Sequence, residues 1–276
     1  MNKQAVGVDI GGTKMYMLAE YEGEYIERTV PTGIDCSRDY IKGQLDDFIV
    51  GLPFEVEMVG MALPGLVEGD NRLNISDVLP RLNGVESSYF GQGRFPVKFI
   101  NDVKAATLTE ANNHKEANTV ATIMVGTGIA AGLAVEGKLF RGSQGFAGEM
   151  GWAYIPHGSG LERLDNLASG AAILEKAGCA ASELNELLKT GDKMAKSIID
   201  EAGYYFGVGL GLIIQFYNPD VIVVGGTTST YPGYMEIAKE TAKSCSLPQL
   251  FDNCLITKPQ DIKRMVAKWA FVSDDN

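Results

Sequence analysis

The chain has 276 residues, 45% of them hydrophobic and 21% charged, and its formal net charge is −11 at pH 7. This length and composition predict a soluble globular protein that buries a large core, as one big domain or two of ordinary size. The acidic balance argues against binding to DNA or to anionic lipid, and the longest apolar stretch, residues 206–217, is too short to span a bilayer.

The first hundred residues alternate between strand and helix patterns. Apolar and β-branched runs predict the strands, and Ser37 is placed to cap a helix. The predicted elements are strands at 5–10, 15–20, 24–30, 56–63 and 97–100 and helices at 38–50 and 103–112. The first two strands form a hairpin around Gly11-Gly12, Pro64-Gly65 ends the fourth strand, and Asn101-Asp102 ends the fifth.

The same pattern restarts after residue 113. It predicts strands at 119–124, 130–135 and 221–224 and helices at 182–217, 233–243 and 260–270. Because the plan appears twice, we expect a duplicated α/β architecture with a cleft between two lobes. The N-terminal lobe would cover 1–113 and the C-terminal lobe 114–276, with the last helix packing back onto the N-terminal lobe.

The turn over residues 9–14 (DIGGTK) directly follows an apolar strand. Gly11 and Gly12 allow a tight turn without Cβ clashes. Bare backbone N–H groups and the Thr13 hydroxyl can then bond phosphate oxygens, while Asp9 can hold a hydrated Mg²⁺. An ordinary hairpin is the simpler interpretation of this turn, since Gly-Gly commonly joins two apolar strands.

Three further glycine-rich turns follow apolar runs, at residues 64–65 (PG), 126–128 (GTG) and 225–227 (GGT). Several such turns, in both predicted lobes, indicate surfaces that meet at a common nucleotide. Residues 126–131 formally fit the relaxed dinucleotide pattern G-x-G-x-x-A. Residues 132–137 continue as a strand and a turn rather than a helix, so the dinucleotide interpretation is rejected.

Three carboxylates are candidates for chemistry. Asp102, with Asn101 beside it, lies between a strand and a helix, where both residue types commonly act as N-caps. A carboxylate there could also accept a hydroxyl proton as a general base, while the amide orients the substrate. Glu149 stands in a small, apolar segment and Glu162 follows a glycine-rich one; a solvated loop residue and a first-turn helix acid are their simpler interpretations.

Together these motifs resemble the successive signatures of the ROK family of sugar kinases. The matching segments, in the family's order, are 9–14 (DIGGTK), 60–67 (GMALPGLV), 101–102 (ND), 126–129 (GTGI), 136–138 (EGK), 141–142 (RG), 147–151 (AGEMG) and 223–226 (VVGG). The resemblance covers residues 5 to 226. It implies the fold of the actin-like ATPase and hexokinase superfamily, in which two ribonuclease-H-like lobes close on ATP and substrate.

The resemblance also implies residue roles, with Asp102 as the base for the sugar hydroxyl. Sugar contacts are implied for Gly65, Asn101, Asp102, Glu149 and Glu162, and position 152 belongs to the same set. Phosphate contacts are implied for Gly11, Gly12, Thr13, Lys14, Gly126, Thr127 and Gly128, with Gly225 and Gly226 lining the adenosine pocket. Asp9 would position Mg²⁺ indirectly. The reaction would be in-line transfer of the γ-phosphoryl group, helped by positioning and charge neutralisation.

The chain departs from the family at the zinc site. Family members usually carry Gly-Glu-x-Gly-His, whose His binds zinc and sugar, but Trp152 occupies that position here. The family's cysteine-rich zinc loop matches residues 154–160, which contain no cysteine, so we expect no zinc. Trp152 offers an indole N–H and a flat face, so it either stacks on the sugar or fills space. The four cysteines are dispersed and predict reduced thiols.

The resulting expectation is an ATP-dependent kinase of the glucokinase or N-acetylhexosamine kinase type. The alternative is a non-catalytic sugar sensor or regulator of the same family, although no basic run or helix-turn-helix segment precedes residue 5. An acyl-kinase-like activity fits less well, since paired carboxylates suit hydroxyl-rich substrates. We expect ATP, Mg²⁺ and a sugar as ligands, a cytoplasmic location, a homodimer as one candidate assembly, and neither nucleic acid nor a membrane as partner.

Overall fold

The computed structural model describes residues 4–272, which fall into two compact units. Among the described residues, the first unit holds residues 4–113, the segment Lys138–Ala147 and residues 260–272. The second unit holds His114–Gly137 and Gly148–Pro259. A five-stranded mixed sheet occurs twice among the described residues, so the α/β class predicted from the sequence is confirmed.

The first sheet is built from residues before 113. The elements there are β1 (Ala5–Ile10), β2 (Lys14–Tyr21), β3 (Glu24–Pro31), α1 (Arg38–Val50), β4 (Met58–Leu63), β5 (Leu66–Glu68), β6 (Arg72–Ile75), α2 (Ser88–Gly91), β7 (Val97–Asn101) and α3 (Asp102–Asn113). The strand order is β3-β2-β1-β4-β7, with β1, β4 and β7 parallel. Ser37 caps α1 as predicted, accepting a hydrogen bond from the Tyr40 backbone N–H at 3.2 Å.

The segment from Gln260 onward packs on this first sheet. It forms turns and then a 3-10 helix at Ala267–Phe271, so the α-helix predicted over 260–270 is wrong. Two strand glycines make the packing possible. A Cβ on Gly7 would lie 2.0 Å from the Ala267 carbonyl oxygen, and a Cβ on Gly60 would lie 2.8 Å from the Trp269 ring. The segment therefore lies close against the sheet at two glycines, a contact that the apolar periodicity of residues 260–270 does not indicate.

The remaining elements follow residue 118. They are β8 (Thr119–Val125), β9 (Ile129–Val135), β10 (Lys138–Leu139), β11 (Tyr154–His157), β12 (Gly160–Arg163), α4 (Leu164–Ala168), α5 (Gly170–Ala177), α6 (Ala181–Lys189), α7 (Lys193–Tyr217), β13 (Val221–Gly225), α8 (Tyr234–Cys245), α9 (Pro248–Asp252) and β14 (Leu255–Thr257). The second sheet has the order β10-β9-β8-β13-β14, with β8, β13 and β14 parallel. β5 pairs with β6, and β11 with β12, as separate two-stranded hairpins.

The single helix predicted over 182–217 is wrong, because the structure divides it into α6 and α7. Gly191 has a positive φ of 77°, and Asp192 caps α7 by accepting hydrogen bonds from the backbone N–H groups of Met194 and Ala195. Within residues 4–272, α7 is the helix long and apolar enough to cross a membrane, and 56% of its most apolar window is buried. A Cβ on Gly207 would lie 2.5 Å from the Ala238 carbonyl oxygen, so α7 packs backbone to backbone on α8.

The division of the chain differs from the predicted C-terminal lobe over 114–276. The segment 138–147 belongs to the first unit instead, and residues 260–272 belong there as well, in line with the expected packing of the last segment onto the N-terminal lobe. Leu139 packs on the cluster that contains Ala62 and Trp269, and the Lys104 ammonium donates a hydrogen bond to the Gly145 carbonyl oxygen. These contacts within the first unit hold a segment that the sequence pattern assigned to the following lobe.

Candidate functional site

The predicted catalytic residues of the first unit lie at one edge of its sheet. β1, β4 and β7 are parallel, with Asp9 paired to Ala62 and Leu63 paired to Asn101. The carboxyl ends of parallel strands meet at the same edge of a sheet, where α/β proteins commonly bind ligands. The turns after these three strands therefore bring residues 9–14, 64–65 and 101–102 together.

Hydrogen bonds to the backbone of Gly11 hold the turn over residues 11–14, and its polar side chains are exposed to solvent. The Gly11 backbone N–H donates to the Lys14 carbonyl at 2.8 Å, and the Thr32 hydroxyl donates to the Gly11 carbonyl at 2.6 Å. The side chains of Thr13 and Lys14 are exposed. A Cβ on Gly12 would lie 2.8 Å from a methyl of Val78, so this position has little room for a side chain. The hydroxyl and ammonium are thus available to an anionic ligand.

Asp9 lies at the end of β1, where it is largely buried. Burial raises the pKa of its carboxyl to about 7, the nearby charge of Asp102 adds to the rise, and the Lys14 ammonium opposes it. A carboxylate held near a second carboxylate is stabilised by an added cation. The pair of Asp9 and Asp102 therefore suits a site that receives a divalent metal ion.

Asp9 should make the stability of the metal-free protein depend on pH. Its pKa rises from an ordinary 3.8 to about 7 in the folded state, so the folded protein binds the proton more tightly between these values. The free energy of unfolding should then fall as pH rises through this window, by on the order of 2–4 kcal/mol. Asp9→Asn should lack this loss. Urea unfolding of both proteins from pH 4 to 8 measures it, and parallel pH curves would contradict it.

Asn101 and Asp102 occupy the junction between β7 and α3. The Asn101 side-chain oxygen accepts from the backbone N–H groups of Val103 and Lys104, and its amide nitrogen donates to the Gly65 carbonyl at 3.1 Å. Asp102 begins α3 and accepts from the Val103 N–H at 2.9 Å. Asn101 therefore fills the capping role and ties the turn at Gly65 to the start of α3.

Gly65 cannot be replaced without strain. Its φ is +109°, and a Cβ there would lie 2.3 Å from the Ile75 carbonyl oxygen. The turn after β4 therefore sits against the β5–β6 hairpin, which begins with the next residue. Its exposed backbone is available to a ligand beside Asn101.

The second unit carries two glycine turns at the carboxyl ends of neighbouring strands. β8 and β13 are parallel, with Met124 paired to Gly225. The Gly126 carbonyl accepts from the Gly170 N–H at 2.8 Å and from the Thr228 hydroxyl at 3.2 Å. Thr127 and Gly128 are exposed, and Gly226, with φ +93°, would place a Cβ 2.2 Å from the Val125 carbonyl oxygen. The turns at 126–128 and 225–226 are thus adjacent and fixed.

Asp165 makes contacts beside the candidate turns that sequence reasoning missed. Its carboxylate accepts from the Ile129 backbone N–H at 2.7 Å, and a Cβ on Gly151 would lie 2.2 Å from one of its oxygens. Burial raises its pKa, while the Ile129 N–H and the Arg163 guanidinium oppose the rise. Asp165 therefore links the turn at Gly128 to the segment that follows Glu149. No local spacing indicates this contact, since 36 residues separate Asp165 from Ile129.

Glu149 and Trp152 lie on one turn. Gly148, with φ +99°, pairs its backbone with Ala131, and a 3-10 helix at Met150–Trp152 follows. The Trp152 backbone N–H donates to the Glu149 backbone carbonyl at 3.2 Å. Positions i and i+3 of a 3-10 turn share one side. The indole is 61% exposed and carries the Arg163 guanidinium over its ring at 4.4 Å, which limits its rotation.

Glu162 lies on the opposite face of the β11–β12 hairpin from Arg163, because successive strand residues alternate. Its carboxylate accepts from the Arg163 N–H at 2.9 Å and from the Asn166 amide at 2.7 Å, and these bonds lower its pKa. It lines a 490 Å³ cavity with His157 and Asn166. The structure thus brings Glu149 and Trp152 together, whereas Glu162 faces a separate cavity of the same unit.

The hairpin at the position of the family's zinc loop carries His157. Its Nδ1 lies 2.7 Å from the Tyr205 hydroxyl, and the two rings meet edge to face. Within residues 4–272, no group of three or more His, Cys, Asp or Glu side chains is arranged to hold a metal ion. His157 is therefore held by an aromatic contact; the absence of zinc stays a prediction.

Comparison with known proteins gives a family match over residues 5–263, to the ROK family. The chain is 27% identical over 275 residues to an N-acetyl-D-glucosamine kinase of Vibrio vulnificus, covering 86% of this chain and 88% of that one. A xylose repressor of Caldicellulosiruptor bescii is 23% identical over 290 residues, covering 91% and 73%. A Brucella melitensis bifunctional enzyme NanE/NanK is 26% identical over 253 residues, and the chain spans about half of its length, 48%.

Solved structures share the fold. A ROK hexokinase from Thermus thermophilus superposes with a TM-score of 0.82 at 24% identity, covering 97% of this chain and 96% of that one. A ROK family glucokinase from Streptomyces griseus, in complex with glucose and AMPPNP, gives a TM-score of 0.78 at 21% identity, covering 97% of each. At these identities, the likeness establishes the architecture.

Proposed function

We propose that this chain, which belongs to the ROK family, transfers the γ-phosphoryl group of ATP to a hydroxyl of a hexose or an N-acetylated amino sugar. The observation that carries the proposal is the sheet edge of the first unit. There a phosphate-type turn at residues 11–14 lies beside the carboxylates of Asp9 and Asp102. The similarity to an N-acetyl-D-glucosamine kinase and the fold shared with a glucokinase support it.

In the proposed mechanism, Asp102 accepts the proton of the sugar hydroxyl as that oxygen attacks the γ-phosphorus. The carboxylate stands at the start of α3, and the neighbouring Asn101 is fixed by its bonds to Gly65 and to the α3 backbone. Asn101 and the backbone at Gly65 would orient the sugar ring. Such positioning lowers the barrier by holding the hydroxyl in line with the phosphoryl group.

A phosphate-binding role is proposed for two turns, the turn at Gly11, Gly12, Thr13 and Lys14 in the first unit and the turn at Gly126, Thr127 and Gly128 in the second unit. The Thr13 hydroxyl and the Lys14 ammonium are suitable donors to phosphate oxygens, whereas the backbone N–H groups of Gly11 and Gly126 already donate to the carbonyls of Lys14 and Gly128. The glycines at 225 and 226 leave room for the adenosine beside the second turn. Asp9 would hold a hydrated Mg²⁺, because its carboxylate already experiences the charge of Asp102. Bound Mg²⁺ supplies charge neutralisation at the phosphates.

Glu149, Trp152 and Glu162 would contribute the remaining sugar contacts. The carboxylates accept hydrogen bonds from sugar hydroxyls, and the exposed indole packs against the C–H face of a sugar ring. Arg163 on the indole ring keeps this surface in place.

A coupled ADP-release assay tests the function. Pure protein with ATP and Mg²⁺ is assayed against glucose, mannose, galactose, fructose, N-acetylglucosamine and N-acetylmannosamine. Turnover that depends on one of these sugars supports a sugar kinase and names its acceptor. The absence of sugar-dependent turnover across the panel would overturn the proposal.

Trp152 should report sugar binding by its fluorescence. The chain has two tryptophans, and Trp269 is only 9% exposed. In Trp269→Phe, the acceptor sugar should change the emission of Trp152 because a ring packs on the exposed indole. In Trp152→Phe, which leaves only the buried indole, the same titration should change little. An equal response in the two variants would show that Trp152 does not contact the sugar.

A non-catalytic sugar sensor is the second candidate. It is favoured by the xylose repressor among the relatives and by Trp152 at the position of the family's histidine. Calorimetry separates the two functions, since a sensor binds a sugar without ATP turnover in the coupled assay. A cytoplasmic location and a homodimer stay predictions, and sedimentation velocity measures the assembly directly.

A further inference from the structure

A cavity of 700 Å³ lies within the first unit, between the β5–β6 hairpin and the segment 141–146. Polar side chains on its walls are Glu68, Asp70, Asn74, Arg141, Ser143 and Gln144. Phe146, which is 49% exposed, adds an aromatic ring. Carboxylates, amides and a guanidinium can bond hydroxyls, while an aromatic face packs against ring C–H groups. This combination suits a hydroxyl-rich ring.

A buried ammonium fixes one wall of the cavity. Lys104, on the first turn of α3, is 8% exposed and donates from Nζ to the Gly145 carbonyl oxygen. A buried cation at a helix N-terminus is unfavourable, both for its lost hydration and for the helix dipole. The bond to Gly145 offsets part of this cost and holds the 141–146 segment. Arg141 also donates to the Gly69 carbonyl at 3.4 Å, which connects the two walls.

The cavity begins beside the predicted sugar contacts. Leu66 lines it and directly follows Gly65, whose carbonyl accepts from Asn101. A single acetyl or hydroxymethyl substituent would leave most of a space of this size to water, since pockets of about 300–1,000 Å³ typically hold drug-sized ligands. The occupant is therefore expected to be a ring rather than a small substituent.

The charges on the walls argue against an anionic occupant. Glu68 and Asp70 contribute two carboxylates, Arg141 contributes one guanidinium, and the Lys104 ammonium is directed to Gly145. We propose that this cavity binds a neutral second sugar unit, so that the preferred acceptor is a disaccharide or a glycoside rather than a free monosaccharide. The inference rests on the proposed function for the placement of the first sugar ring.

The test compares disaccharides with their monosaccharides in a kinase assay and in calorimetry without ATP. The probes are maltose, cellobiose, sucrose and N,N′-diacetylchitobiose, set against glucose and N-acetylglucosamine. At least one disaccharide should bind about tenfold more tightly than its monosaccharide. Phe146→Ala should lower the affinity for that disaccharide about tenfold more than the affinity for the monosaccharide. Phe140→Ala is the matched control, because Phe140 is equally exposed, at 49%, and lies outside the cavity lining.

The possible outcomes test the disaccharide proposal and the kinase proposal separately. Monosaccharide turnover without any preference for a disaccharide overturns the cavity proposal and leaves the kinase standing. Disaccharide binding that Phe146→Ala weakens selectively, without turnover of any sugar, supports the cavity and overturns the kinase. Equal effects of Phe146→Ala and Phe140→Ala on the disaccharide also overturn the cavity proposal.

Discussion

Replacing Asp102 by Asn should lower kcat for sugar phosphorylation by about 100- to 10,000-fold, the usual contribution of a general base. Asn has nearly the same shape and keeps a side-chain oxygen for the Val103 N–H, so the start of α3 should be preserved. It cannot accept the hydroxyl proton, however. The coupled ADP assay measures kcat and KM, and KM should change much less than kcat because the sugar contacts remain.

The control for this variant is Asp47→Asn, which removes an exposed carboxylate from α1 in the same unit. It should leave both kinetic constants unchanged.

Asp102→Asn should also lower the pKa of Asp9, since the charge of Asp102 raises it in the wild type. The pH dependence of unfolding detects that change without turnover. A variant with kcat within threefold of the wild type would show that Asp102 is not the base.

Gly148→Ala should strongly destabilise the fold next to Glu149. The backbone at Gly148 has φ +99°, and an added Cβ would lie 1.8 Å from the Ala131 carbonyl oxygen. The Cβ is fixed by the Gly148 backbone and its neighbour is a backbone carbonyl, so no side-chain rotation can relieve the clash. The Ala131 N–H bond to the Gly148 carbonyl, 2.8 Å long, would be disturbed as well. We expect a loss of at least about 3 kcal/mol in the free energy of unfolding.

Gly158→Ala separates backbone strain from the clash. Gly158 also has a positive φ, +57°, but nothing lies within 4 Å of an added Cβ, and it belongs to the same unit. It should cost about 1–2 kcal/mol, the penalty for a left-handed conformation alone. Urea unfolding of both variants gives the comparison. Equal losses would mean that the contact with Ala131 relaxes and that Gly148 is required only for its φ.

The sequence predicted local features well where the physical cause is local. Ser37 was identified as a cap because a side-chain oxygen satisfies a nearby N–H, and the structure confirms it. The predicted end of a helix at residue 217 agrees with the structure, since α7 ends at Tyr217, just before Asn218-Pro219. The motif-based resemblance to the ROK family is confirmed by the match over residues 5–263. The roles of the individual site residues stay predictions that the variants above test.

Asp165 could not be found in this way. Its contacts with Ile129 and Gly151 depend on how α4 returns to β9, and an aspartate near the start of a helix is common for reasons of the helix dipole. Glu162 and Arg163 are adjacent in sequence, yet the pairing of β11 with β12 sends them to opposite faces. Register, which sequence spacing alone does not specify in a short hairpin, decides which of them meets Trp152.

The sequence by itself determined the glycine turns, the strands before them, the family and the substitution of Trp152 for the family's histidine. These follow from local backbone preferences and from residue identity. Only the tertiary structure decided that residues 138–147 join the first unit, that residues 260–272 pack there as turns and a 3-10 helix, and that Lys104 supports a cavity beside Gly65. The reason is that the contacts of the buried Lys104 and of the sheet glycine Gly7 are made with residues far away in the chain, Gly145 and Ala267. Periodicity records which face of an element is apolar but not which surface covers it.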